Sequence, residues 1–139
     1  MKQIFQISAN LKSDKPPYFT TMLPVGTWSI CAISSDESDF LAWNAWAGQV
    51  ADCTTPCTCA RGWLNNYNIW SPGFTSLPNN MMSVGNGRYD SPQLAVQSAK
   101  PEIFTIQGQP SIVTFFILDS YHDNIGGLTL QLTKVSSAV

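Results

Sequence analysis

The chain has 139 residues, of which 44% are hydrophobic and 12% are charged, and its net charge is −2. This hydrophobic share excludes a disordered chain, and the length suits one domain with a core of its own. No basic run is present, which argues against nucleic acid as a partner. No apolar stretch approaches the ~20 residues of a membrane span, so membrane insertion is not expected.

Short β-rich runs separated by turn residues make up the N-terminal part of the chain. Strands are predicted over residues 4–9, 18–23 and 27–33. In the third of these strands, Trp28, Ile30 and Ala32 are expected to share one face, because side chains alternate along a strand. No continuous apolar segment follows Met1, so a secretory signal is not predicted, and export by another route after cytoplasmic synthesis stays open.

A long stretch with little regular patterning follows, over about residues 34–78, and it is rich in cysteine and tryptophan. Cys53, Cys57 and Cys59 crowd one part of it. One loop disulfide is the simplest interpretation, with Cys53 paired to Cys59 or Cys57, and with Cys31 a small buried hydrophobic residue on a strand. The alternative is a zinc site that recruits Cys31 as the fourth ligand.

Regular structure is expected to resume near Met81, and three further strands complete the chain. They are predicted over 102–106, 111–118 and 128–133. The run 111–118 is the most apolar of them, and we expect it to be covered on both faces. These elements predict an all-β fold, a small antiparallel β-sandwich of jelly-roll-like type, in a single domain over residues 1–139.

The polar loop between the last two strands contains the residues best suited to chemistry. Asp119, Asp123 and Asn124 place two carboxylates and one amide oxygen within six residues, at the end of an apolar strand. Calcium takes about six to eight oxygen ligands from such groups, from backbone carbonyls and from water. The alternative is a polar hairpin turn in which these side chains bond only local backbone N–H groups.

The pattern of this loop resembles a known family. From Asp119 to Leu132 the pattern Asp…Tyr-x-Asp-Asn-x-Gly-x-Leu-x-Leu is similar to the calcium loop of the bacterial galactophilic PA-I-like lectins. Weaker similarity extends to Ile7-Ser8-Ala9-Asn10, to Gly26 opening the strand that contains Trp28, and to Val84-Gly85-Asn86-Gly87. The loop is shorter than in that family, and the sugar-contacting histidine of the family's middle loop has no counterpart.

This resemblance implies a β-sandwich that binds Ca²⁺ and a galactoside or related glycan, and that forms a homo-oligomer. The implied metal site consists of the side chains of Asp119, Asp123 and Asn124, a carbonyl of Ser120 or Tyr121, and a carbonyl from residues 36–39, for which we take Ser38. Two vicinal hydroxyls of the sugar complete the calcium shell in this family. The implied sugar contacts are Asp119, Ser120, Asp123 and Asn124, and the residues themselves add Trp43 and Trp46, whose aromatic faces could pack against the ring.

The aromatic residues of the long stretch allow two interpretations. Trp43, Trp46, Trp63, Tyr67 and Trp70 could form a wall against the apolar face of a sugar. The alternative is a packed mini-core, since large aromatic side chains bury readily.

No enzyme is predicted. Motifs for nucleophilic, metal-assisted or phosphate chemistry are lacking, and His122 is the only histidine. A fragment of a glycan-active enzyme is disfavoured because no carboxylate pair stands apart from the loop. The leading hypothesis is a calcium-dependent lectin. The alternative is a virion, toxin or surface interaction module with a structural calcium, which would bury the loop tryptophans rather than expose them beside the ion.

Overall fold

Eleven β-strands and one α-helix form the part of the chain that the computed structural model describes, which is residues 2–10, 14–36, 40–44, 62–119 and 124–136. The strands are β1 Lys2–Ser8, β2 Tyr18–Leu23, β3 Gly26–Ala32, β4 Trp43–Asn44, β5 Trp63–Leu64, β6 Tyr67–Trp70, β7 Met81–Val84, β8 Arg88–Tyr89, β9 Glu102–Ile106, β10 Ser111–Phe116 and β11 Ile125–Ser136. The helix α1 spans Pro92–Gln97, and a 3₁₀ turn spans Pro78–Asn80. All strand pairs among the described residues are antiparallel.

The larger sheet has seven strands in the order β8-β5-β4-β11-β3-β9, and β1 also pairs with β11. The twelve residues of β11 reach three neighbours, because its first residues pair with β4 and its later ones pair with both β1 and β3. Leu128, Leu130 and Leu132 alternate along it and are fully buried, which confirms the predicted inward face. β11 is therefore the strand that connects the sheet to the polar loop before it.

The smaller sheet has four strands in the order β2-β10-β6-β7. The prediction that 111–118 is covered on both faces is wrong. Val113 and Phe115 on one face of the strand are buried, but Ile112 on the opposite face is 43% exposed. The strand also ends at Phe116. β10 is central in its sheet by hydrogen bonding, yet one face packs on the core while the other meets solvent, as antiparallel sheets commonly allow.

The core lies between the two sheets, as in a β-sandwich. Trp28, Ile30 and Ala32 of β3 all face inward, as their alternation predicts. Aromatic stacking joins the layers, since the ring of Phe5 in β1 lies 4.1 Å from that of Phe19 in β2 and 5.1 Å from that of Phe115 in β10. The all-β, antiparallel, sandwich-like fold predicted from the sequence is confirmed.

The stretch 34–78 differs from the prediction of an irregular loop, because its described residues contain β4, β5 and β6. The strand β6 pairs with both β10 and β7. Its first three residues are all buried, so it shows no alternation that a sequence pattern could reveal. Pairing with partners far along the chain, rather than local propensity, makes these residues strands.

The helix α1 was not predicted, although the sequence carries its start signal. Ser91 is the N-cap, its hydroxyl accepts a hydrogen bond from Leu94 N over 3.1 Å, and Pro92 follows at the first helical position. Ala95 and Val96 are its buried residues. Within the described ranges, the chain has no helix of the length and apolar character that crossing a membrane requires.

Candidate functional site at the β10–β11 connection

The loop singled out in the sequence connects the two sheets. β10 belongs to the smaller sheet and ends at Phe116. β11 is the longest strand of the larger sheet and begins at Ile125. Ile117 is still fully buried, whereas the next two residues, Leu118 and Asp119, are exposed. The carboxylate of Asp119 therefore follows directly from a strand that is fixed in the core.

Asn124, at the other end of this loop, has a buried side chain whose hydrogen bonds are not satisfied among the described residues. It has no exposed surface, and neither its Oδ1 nor its Nδ2 has a hydrogen-bond partner among the described residues. Its backbone is held in place, because Asn10 Nδ2 donates to the Asn124 carbonyl oxygen over 2.8 Å. Since leaving a buried polar group unpaired costs free energy, such an amide calls for a specific partner.

The segment Phe40–Asn44 packs against the start of β11. Thr129 Oγ1 donates to the Phe40 carbonyl over 3.0 Å, and Gly127 N donates to the Ala42 carbonyl over 3.2 Å. In the strand register, Trp43 lies opposite Gly126. The chain directly after residues 36–39, from which the second backbone carbonyl was predicted, is thus held against the first residues of β11.

Several predicted site residues lie outside the described residues. They are Ser38, Trp46, Ser120, Tyr121 and Asp123, and His122 lies outside as well. Within the described ranges, no group of three or more His, Cys, Asp or Glu side chains is arranged to hold a metal ion. The described ends of the loop contribute one exposed carboxylate and one buried, unpartnered amide, both of which are suitable oxygen ligands for calcium.

The described tryptophans of the long stretch do not form one exposed wall. Trp43 and Trp63 are buried, with 5% and 6% of their surfaces exposed, and Trp43 Nε1 donates to the Asn66 carbonyl over 2.9 Å. Trp70 is 37% exposed on the smaller sheet. For Trp43 and Trp63 this burial favours the packed mini-core over a sugar platform.

A cleft of about 320 Å³ lies next to the loop, between Leu118 and the strands β5, β6 and β7. Trp43 and Tyr67 form part of its wall, and the amides and hydroxyl that line it come from Asn66, Asn68 and Ser83. Asn68 Nδ2 donates to Ser83 Oγ over 3.0 Å, and Asn66 Oδ1 is buried without a partner among the described residues. None of the lining side chains is charged, so the cleft suits a neutral polar ligand.

Sequence reasoning missed a cluster of hydrogen-bonded asparagines, Asn65 and Asn86, in the same part of the fold. Asn65 is 2% exposed, and its Nδ2 donates to Asn86 Oδ1 and to the Ala95 carbonyl, each over 2.8 Å. Asn86 N in turn donates to Asn65 Oδ1 over 3.2 Å. The pattern Asn65-Asn66 resembles an exposed turn, and nothing in it indicates that the side chain of Asn65 is buried.

Cys31 is a free thiol among the described residues. The sequence predicted a buried residue, whereas the structure has Cys31 half-buried. Its Sγ donates to the Ala32 carbonyl over 3.3 Å, and burial raises the pKa of the thiol. The predicted loop disulfide and the zinc alternative both depend on Cys53, Cys57 and Cys59, which lie outside the described residues.

Comparison of the chain with protein-family models, with curated proteins and with solved structures finds no match.

Proposed function

We propose that the protein is a calcium-dependent lectin whose ion and sugar bind at the β10–β11 connection. The observation that carries the proposal is the side chain of Asn124, which is fully buried and has no hydrogen-bond partner among the described residues. An amide oxygen without a donor is free to coordinate a hard cation. The hydrogen bond from Asn10 to the Asn124 carbonyl would hold the backbone of this ligand in position.

The residues present fit a calcium ion. Asp119 and Asn124 would hold it from the two described ends of the loop, together with the predicted ligands Asp123, Tyr121 and Ser38. A bound calcium supplies coordination positions that the vicinal hydroxyls of a sugar can occupy in place of water. The unpartnered Nδ2 of Asn124 would then have a hydroxyl oxygen to donate to.

The sugar part of the proposal is supported by the neighbouring cleft. Its uncharged amides and hydroxyl match the hydrogen bonding of a neutral glycan, and Leu118 brings it next to Asp119. A galactoside is the first candidate because of the resemblance of the loop. Affinity for a single sugar should be weak, since few groups make contact and each ordered contact costs entropy.

The calcium site is tested by thermal unfolding of the protein and of the variant Asn124→Leu, in chelator and in calcium. In chelator the variant should be as stable as the parent or more stable, because an unpartnered buried polar group costs about 1–3 kcal/mol. In calcium at 100 times its dissociation constant, the parent should gain about 2.7 kcal/mol, and the variant should gain much less.

Asn65→Leu is the matched control, because Asn65 is equally buried but fully hydrogen-bonded. It should lose stability by about 1–3 kcal/mol in both conditions, since its partners are left unpaired. An unchanged melting temperature of the parent on addition of calcium would contradict the calcium site. Asp119→Ala should reduce the calcium response in the same way as Asn124→Leu.

Sugar binding is tested separately, by titrating galactose and N-acetylgalactosamine against the intrinsic fluorescence with calcium and again with chelator. Binding that requires calcium supports the lectin. A response to mannose or fucose alone would retain the lectin and contradict the galactose assignment.

The burial of Trp43 and Trp63 favours a second candidate function, in which the sandwich is an interaction module with a structural calcium. That candidate shares the calcium response and predicts that no glycan binds. The two experiments together therefore separate the two functions.

A further inference from the structure

A second cleft, of about 210 Å³, opens between the two sheets at the end where β3 finishes and β9 begins. Ala32 and Glu102 line it from the larger sheet, and Tyr67 and Val84 line it from the smaller one. Lys100 lies in its lining on the loop before β9. Tyr67 and Val84 line both this cleft and the one beside Leu118, so the two clefts are neighbours.

Tyr67, which lines this cleft, has a hydroxyl whose hydrogen bonds are not satisfied among the described residues. The side chain is 2% exposed, and its hydroxyl is buried without a hydrogen-bond partner among the described residues. Burial, and then the nearby Cys31 and Glu102, raise the pKa of Tyr67 far above its usual range. The hydroxyl therefore stays protonated, and it can both donate and accept a hydrogen bond.

Glu102 points into the sandwich from the opposite layer. It lies opposite Ile30 in the register of β9 with β3, on the inward face that also carries Phe104 and Ile106. A carboxylate on the inner face of a sandwich is costly unless it meets water or a partner, and the cleft gives it access to one. The neighbouring Asn65 and Asn86 are already bonded to each other, so they brace the cleft rather than serve a ligand.

We propose that this cleft binds a small neutral molecule with adjacent hydroxyl groups, of monosaccharide size or smaller, without calcium. A hydroxyl of such a ligand can accept from the Tyr67 hydroxyl, and an adjacent one can donate to the Glu102 carboxylate. Val84, Ala99 and Pro101 supply apolar surface for the C–H groups of the ligand.

Charge also favours a neutral ligand. Lys100 and Glu102 bring one charge of each sign to the cleft. An anion would be repelled by Glu102 and a cation by Lys100, and either would also lose its hydration. The inference is independent of the proposed calcium site, since none of the predicted calcium ligands lines this cleft.

The test is an amide NMR titration of the whole chain with glycerol and with galactose, in excess chelator. Either polyol should shift the amides of Gly85, Asn86, Lys100 and Glu102, with saturation in the millimolar range. Tyr67→Phe should weaken this binding about tenfold, which corresponds to one lost hydrogen bond. The same variant should melt no lower than the parent, because the hydroxyl that it removes has no partner among the described residues.

Tyr18→Phe is the matched control, since Tyr18 is 55% exposed on β2 and does not line the cleft. It should leave the titration unchanged. Equal binding by Tyr67→Phe and the parent would overturn the proposal, and so would an absence of polyol shifts at these amides. Shifts produced by glycine but by neither polyol would overturn the ligand class. The chelator makes each result independent of whether calcium binds at Asn124.

Discussion

Replacing Gly127 by alanine tests how closely β11 approaches the elements on either side of it. A Cβ at this position would lie well inside contact distance of the Ile7 carbonyl oxygen and 2.7 Å from two ring carbons of Phe40. Neither neighbour can move easily. Ile7 belongs to β1, which pairs with β11 along its whole length, and Phe40 is 7% exposed beneath the same strand.

The cost of the extra methyl is therefore one of overpacking, which is about 1–3 kcal/mol in well-packed cores. Because one obstacle is paired backbone and the other is a buried ring, we expect about 3 kcal/mol, at the upper end of that range. For a domain of this size the loss lowers the melting temperature by roughly 10 °C. Thermal and urea unfolding of the parent and the variant measure both quantities.

Gly73→Ala is the matched control for this substitution. Its nearest obstacle is the hydroxyl oxygen of Ser111 at 3.0 Å, which can rotate away, so its effect should stay within about 0.5 kcal/mol. Equal stability of the Gly127 and Gly73 variants would refute the reasoning. It would mean that β1 and Phe40 do not approach β11 as closely as the structure has them.

Three further predictions concern stability. Ser91→Ala removes the N-cap bond to Leu94 and should lower the free energy of unfolding by about 1 kcal/mol in a urea titration. Leu130→Ala leaves a cavity in the fully buried centre of β11 and should cost about 2–5 kcal/mol by the same measurement. Since the pKa of Tyr67 is raised in the folded state, the unfolded chain loses this proton first, and the free energy of unfolding should fall by about 1.4 kcal/mol per pH unit above about pH 10. When urea unfolding is compared at neutral and alkaline pH, Tyr67→Phe should remove the part of this fall that Tyr67 causes and leave the part from Cys31, whose thiol pKa burial also raises, whereas Tyr18→Phe should retain both.

The strands that could be predicted from the sequence are those with an alternating or strongly apolar pattern. β2 and β9 were predicted with their observed bounds, and the inward face of β3 follows from the spacing of Trp28, Ile30 and Ala32. These elements carry their own signal because one face of each packs on the core. The sequence also contains a start signal for the helix α1, the pair Ser91-Pro92, but the six residues of the helix are too few for a helical period to be recognised.

The remaining strands could not be predicted because partners elsewhere in the chain determine them. β4 has two residues, and it is a strand because Asn44 lies opposite Ile125 and Trp43 opposite Gly126. The outer exposure of β10 escaped prediction for a related reason. A continuous apolar run is typical of a strand covered on both faces, yet Ile112 is exposed because no described element packs over that side of β10.

The candidate site illustrates the same limit at the level of single side chains. Asn65 and Asn124 are the same residue type in turn-like sequence, and both are buried. In Asn65 both atoms of the side-chain amide are hydrogen-bonded: Nδ2 donates to Asn86 and to Ala95, and Oδ1 accepts from Asn86. Such bonding is typical of an asparagine that stabilises the fold. Asn124 uses neither amide atom among the described residues, although its backbone is held by Asn10. Burying an amide that makes no hydrogen bond opposes folding, because its desolvation costs free energy that no interaction offsets. The unsatisfied Asn124 is therefore the residue on which the proposed calcium site rests, whereas the hydrogen bonds of Asn65 show a structural role, and only the hydrogen bonds of the folded chain distinguish the two.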